Sequence, residues 1–149
     1  MMMDKFNEVY LRIVSEQAGD GANGGVSPEF DAKLKGLGFK GGNRTDREDG
    51  VPKIIYKKNY GVLVCRIVYA FEDHVWKVEV QDKKWEVFDE GDAEYDIKSA
   101  IKSFVEKDDE FTEFLENFEN YYDGEMKNPL NKATDGINAM LEELKSLLA

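Results

Sequence analysis

Between Lys53 and Phe88, apolar and polar residues alternate with a period of two in four segments joined by very short connections. The segments Ile54–Lys58, Val62–Phe71, Val75–Gln81 and Lys84–Phe88 are rich in β-branched and aromatic residues. Asn59-Tyr60-Gly61, Glu72-Asp73-His74 and Asp82-Lys83 separate them. Strands joined so closely pair antiparallel, because a parallel neighbour needs a long crossover. The pattern predicts a four-stranded meander. In the third segment Trp76, Val78 and Val80 alternate with Lys77, Glu79 and Gln81, and in the fourth Trp85 and Val87 flank Glu86. One face is therefore expected to be covered and the other wet. The second segment is apolar on both sides, which suits a central strand.

Helical periodicity stands on both sides of this region. Phe6, Val9, Tyr10, Ile13 and Val14 form one stripe of an amphipathic helix from about Asp4 to Gln17, stopped by the glycines between Gly19 and Gly25. Ser27 and Pro28 are an N-cap and a first-turn proline for a short helix ending near Gly36, with Phe30, Leu34 and Leu37 inward. After the strands, Asp92 is expected to cap a helix that buries Ile97, Ala100, Ile101, Phe104 and Val105. Asp108 caps another that buries Phe111, Phe114, Leu115 and Phe118. Asn128 and Pro129 open the last helix, which Gly136 is expected to weaken or divide. The expected fold is α+β: a four-stranded antiparallel meander flanked by two N-terminal and two or three C-terminal helices. At 149 residues it reads as one acidic domain, with a helix and glycine-rich hinge over 1–26, a short helix and sheet over 27–91, and an acidic helical part over 92–149.

The formal charge of −11 opposes direct binding to nucleic acid or an anionic membrane, both of which need a positive footprint. It is unevenly placed. Residues 1–70 hold 9 acids and 11 bases, whereas residues 71–149 hold 22 acids and 9 bases. No apolar run approaches the length of a membrane span. The single cysteine cannot form an internal disulfide, and no leader opens the sequence, so a cytoplasmic protein is expected.

Residue types for most enzyme chemistry are scarce. Gly19-Asp20-Gly21-Ala22-Asn23-Gly24 has the spacing of a dinucleotide fingerprint but lacks the preceding strand and the following helix start that the mechanism requires. The one histidine, His74, sits in a turn, and Cys65 falls within an apolar strand where a thiol acts as a small hydrophobe. Paired-imidazole and thiolate metal sites are thereby excluded. Asp89, Glu90, Asp92, Glu94 and Asp96 lack the order of a calcium loop and are read as helix-start acids. No enzymatic activity, cofactor or metal is expected.

The strongest functional signal lies between Asp108 and Met126, which hold 8 acids and no base. Asp109, Glu110, Glu113, Glu116, Glu119 and Asp123 are the candidate partner-binding residues. Like charges three and four apart on a helix cost roughly 0.2–0.5 kcal/mol each. Such a ladder resembles the charge density of a duplex and suits a basic groove on another protein. The leading expectation is a non-enzymatic binding module, in effect a small nucleic-acid-like inhibitor docking on a basic partner surface. A second is a structural or assembly protein that forms homo-oligomers through its terminal helices. A third is a small anionic-ligand binder using Lys40, Arg44 and Arg47 around the glycine-rich loop.

The stretch Phe6-Asn7-Glu8-Val9-Tyr10 to Ile13-Val14-Ser15-Glu16 resembles the short N-terminal helices, ending in glutamate, that target internal proteins to the heads of tailed bacteriophages. The resemblance implies cleavage at Glu16, a packaged remainder, and residence in the host cytoplasm or the virion. It departs at Val14, where isoleucine or leucine is expected.

Overall fold

The computed structural model describes residues 25–43, 47, 48, 50–107 and 111–149. The expected helix over 4–17, the hinge glycines through Gly24, the Glu16 position and the Asp108 cap lie outside the described residues. Among those described, the order is α1 (Pro28–Gly36), β1 (Lys40–Gly41), β2 (Arg47–Glu48), β3 (Val51–Tyr60), β4 (Leu63–Ala70), β5 (Val75–Asp82), β6 (Phe88–Glu90), α2 (Ile97–Val105), α3 (Phe111–Tyr122) and α4 (Pro129–Leu147). The class is α+β, with an antiparallel sheet ordered β1-β3-β4-β5-β6 and β2 paired to the start of β3.

Two local signals from the sequence hold. Ser27 accepts a hydrogen bond from the Phe30 N–H at 3.1 Å, and Pro28 occupies the first turn of α1. The meander is also present, with Tyr60 paired to Leu63 across Gly61 and Val62, and β4 at its centre. Gly61 has φ +65°, which a tight hairpin turn requires.

Register then sorts the faces. Ile54, Tyr56 and Tyr60 stand beside Tyr69, Ile67 and Leu63, which stand beside Trp76, Val78 and Asp82. With Cys65 and Val80, the apolar members of this set join residues from all four helices in one core. α2 packs on β5, α4 on β3 and β4, and α1 and α3 against α4. Burial pushes the Cys65 thiol well above its ordinary range, so it stays protonated in the core.

Four expectations need correction. The predicted strand over Lys84–Phe88 is mostly a turn, and the last strand runs over Phe88–Glu90. The buried Asp82 carboxylate accepts the Glu86 N–H at 2.7 Å and the Val87 N–H at 3.3 Å. Those donors are thereby drawn into a turn around Asp82. The second sheet face is not simply wet, because Val64, Arg66, Val68 and Gln81 on it are buried. The cap of α2 is Asp96 rather than Asp92, because residue 94 is held in extended geometry by two hydrogen bonds between the Trp76 and Glu94 backbones. Finally, α4 runs unbroken through Gly136. A Cβ there would lie 2.7 Å from the Tyr60 carbonyl oxygen and 3.1 Å from Leu63 Cδ1. The glycine is a contact point where the helix crosses the β3–β4 turn.

Polar ties bind the helices to β3. The Tyr56 hydroxyl donates to Asp31 of α1 at 2.7 Å, and Lys58 donates to the Leu37 carbonyl that follows α1. Lys58 and Tyr60 both donate to Glu143 of α4, at 2.6 and 2.7 Å. Burial alone would raise the Glu143 carboxyl, but these two bonds and the Lys58 charge hold it below its ordinary range.

Two predictions follow from the packing. Gly136→Ala, which in an open helix would stabilise, should instead cost about 1–3 kcal/mol by overpacking against Tyr60, read as a lower urea midpoint with an unchanged slope. A carboxyl depressed in the folded state adds stability above its unfolded pKa of about 4.3 and loses it as pH falls through the folded value. The urea midpoint of the wild type should therefore drop more steeply below that pH than that of Glu143→Gln, the two profiles converging in acid. Parallel profiles would contradict the Lys58–Glu143–Tyr60 account.

Candidate functional site

The phase of α3 is set by its buried side: Phe111, Phe114, Phe118 and Tyr122. They recur every three or four residues and pack in pairs, with ring centroids 6.4 Å apart for Phe114 and Phe118 and 4.8 Å apart for Phe118 and Tyr122. At roughly 100° per residue, a three-residue step leaves each side chain turned back by about 60°. Glu113, Glu116 and Glu119 therefore form a fan across the outer surface rather than a straight ladder.

All three glutamates are exposed, and among the described residues none has an ion-pair partner. Some acids elsewhere are paired, Asp31 with Lys35 at 3.1 Å, Glu143 with Lys58 at 2.6 Å, Glu90 with Lys77 at 3.3 Å and Glu125 with Lys84 at 3.4 Å, whereas Glu72, Asp73 and Glu142, like the α3 glutamates, have no ion-pair partner among the described residues. The last turn of α3 carries no base. Asp123 lies just past the helix, exposed, in an isolated bridge with Met126. Asp109 and Glu110 lie outside the described residues.

The fan borders a trough that the sequence did not reveal. Phe88, Asp89, Thr112, Glu113, Phe114, Glu116 and Asn117 line a cavity of about 680 Å³. A second cavity, of about 530 Å³, is lined by Glu86, Val87, Phe88, Asn117, Asn120 and Tyr121. The two share Phe88 and Asn117, so one groove runs between α3 and the segment entering β6. No Lys or Arg is among these described lining residues.

Two aromatic side chains that line it stand open, and a third stands on the turn that precedes β6. Phe88 is 51% exposed, Tyr121 47% and Trp85 52%. Trp85 is displayed by the Asp82 turn at φ +64°, a conformation costly for a bulky residue, with its N–H donating to the Asp82 carbonyl at 3.1 Å. Its ring stacks over the Arg66 guanidinium at 4.7 Å, and Arg66 pairs with Glu79 at 3.5 Å. The Tyr121 hydroxyl is held above its ordinary range by partial desolvation first and then by the Glu86 carboxylate. An exposed aromatic rimmed by carboxylates is a surface suited to cationic side chains.

Of the expected anion-binding residues, Lys40 and Arg47 lie on different strands. Arg44 lies outside the described residues. Lys40 on β1 faces Lys57, whereas Arg47 on β2 faces Pro52, so the two attach about five residues, roughly 17 Å, apart along β3. Lys40 instead shares a cavity of about 500 Å³ with Ile55, Lys57 and Lys58.

The other residues singled out in the sequence have local roles. Asp89 accepts the Glu90 N–H at 2.8 Å, Asp92 accepts the Ser103 hydroxyl at 3.2 Å, and Asp96 caps α2 through the Ser99 N–H at 2.9 Å. His74 is exposed in the β4–β5 turn at φ +57°, its ring 3.3 Å from the Tyr69 hydroxyl. Among the described residues, no group of three metal-ligating side chains comes together, and no helix is long and apolar enough to cross a membrane. The apolar stripe of α4, which includes Ala133, Ile137, Met140 and Leu144, is buried within the chain.

Comparison with protein-family models, with curated proteins and with solved structures finds no match for this chain.

Because the aromatic display rests on Asp82, Asp82→Ala should cost about 1–3 kcal/mol, the usual penalty for orphaning buried donors. Amide exchange at Glu86 and Val87 should accelerate together. A stability loss without faster exchange at those two amides would show that the carboxylate does not hold the turn.

Proposed function

We propose that this protein is a non-enzymatic binding module whose acidic α3 surface docks on a basic surface of another protein, as a nucleic-acid-like inhibitor does. The observation that carries this reading is the fan of Glu113, Glu116 and Glu119: three exposed carboxylates, unpaired among the described residues, on one short helix that carries no base. A helix selected for stability alone would interleave lysines at i+4. The groove beside the fan gives the surface shape as well as charge. Its exposed aromatic residues supply the apolar anchors that protein interfaces use at their centres.

Electrostatic docking predicts a partner captured at low salt and released near about 0.5 M, where screening is complete within a few ångströms. Glu113→Lys combined with Glu116→Lys should abolish capture, whereas reversing Glu72 and Asp73 in the distant β4–β5 turn should leave it unchanged. Capture indifferent to reversal of the α3 pair would overturn the reading.

A further inference from the structure

The groove runs along the open edge of β6. Hydrogen bonds establish which backbone groups face that edge. The Asp82 N–H donates to the Val87 carbonyl at 3.1 Å, and the Gly91 N–H donates to the Val78 carbonyl at 2.8 Å. Residues 87, 89 and 91 therefore turn their backbone groups toward β5, and by antiparallel alternation residues 88 and 90 turn theirs outward. The outward groups of Glu90 are used: its N–H by the Asp89 carboxylate and its carbonyl by Lys107. Among the described residues nothing bonds the outward N–H and carbonyl of Phe88. The sheet edge is thus closed at one residue and open at the next, and the open one lines both cavities.

From Thr112 to Tyr121 the facing wall of α3 is about 14 Å long, room for roughly four residues of extended chain. Its carboxylates, Glu113 and Glu116, share the groove with Glu86 and with Asp89, which Lys107 pairs at 3.7 Å, and no base is among the described lining residues.

We propose that an extended, basic segment of a partner protein enters this groove by strand addition. Its backbone pairs with the free N–H and carbonyl of Phe88. Its Arg or Lys side chains reach Glu113, Glu116 and Glu86 and stack on the Phe88 and Tyr121 rings. Charge complementarity names the occupant. An edge meant to pair with a second copy of this chain would bring the same carboxylates together, which costs rather than gains. The inference rests on the α3 surface being a docking face and adds to it the mode and the class of segment.

The probe is an acetylated, amidated dodecapeptide alternating arginine with threonine, titrated into isotope-labelled full-length protein. Its counterpart carries N-methyl groups on every residue, with the same charge but no backbone donor on either edge. The unmethylated peptide should shift and protect the Phe88 amide, and the methylated one should bind about tenfold more weakly, as the loss of two backbone hydrogen bonds implies. Phe88→Pro removes only the outward N–H and leaves the β5–β6 ladder intact, so it should bind about threefold more weakly than Phe88→Ala. Glu113→Gln with Glu116→Gln should weaken binding of both peptides alike.

Equal binding of the two peptides, together with equal binding by the proline and alanine variants, would overturn strand addition while leaving charge-driven docking intact. Indifference to the glutamine pair would overturn the basic class of ligand. Failure of the peptide to bind would overturn the inference, and a dimer in sedimentation that Phe88→Pro dissolves would replace it with pairing between copies.

Discussion

Pairing of β3, β4 and β5 in a single register is the constraint from which the rest of the molecule follows. Once Tyr60 faces Leu63 across the Gly61 turn, every second residue of β3 is committed to the helical side. That side holds Ile54, Tyr56 and Tyr60, and it also holds Lys58, the one cation in the row. A slip of one residue would send Lys57 and Arg66 to the core and the tyrosines to the other face. The three polar side chains of the row then select where helices sit: Tyr56 meets Asp31 of α1, while Lys58 and Tyr60 meet Glu143 of α4. Gly136 allows α4 to approach the Tyr60 carbonyl, so one turn of the sheet and one turn of the helix fix each other.

Signals contained within a few residues were legible in the sequence. Ser27 and Pro28 mark the start of α1, and alternation marks the three long strands. The spacing of Phe111, Phe114 and Phe118 marks the inward side of α3. What was not legible depends on residues far apart. Asp92 and Asp96 are equally good caps by local chemistry, and only pairing of Glu94 with Trp76, eighteen residues earlier, decides between them. Trp85, Glu86 and Val87 continue the alternation perfectly, yet Asp82 offers their N–H groups a nearer acceptor than a strand would.

The candidate site divides along the same line. The acids of α3 were visible as a count, and their angular spread was available too, because the phenylalanines fix the helix phase. Phe88, Tyr121 and the groove were not visible. Their role depends on β6 being the last strand in the sheet order, and the alternation pattern does not state strand order.

The energetics of α3 explain how such a surface is tolerated. Each like-charged pair costs a few tenths of a kcal/mol, and the last turn carries no base of its own to meet the helix dipole, the nearby cation being Lys84 of the Asp82 turn over the Tyr122 ring. Against this, burying an aromatic side chain contributes on the order of 2 kcal/mol, and α3 buries Phe111, Phe114, Phe118 and Tyr122 on one side. The inner side therefore holds the helix in place whatever the outer side carries. Lysines on that outer side would have improved stability at no expense to packing. Under the docking reading proposed above, their absence, beside a sheet edge closed by Lys107 at Glu90 but open at Phe88 among the described residues, reflects what the surface meets rather than what the fold requires.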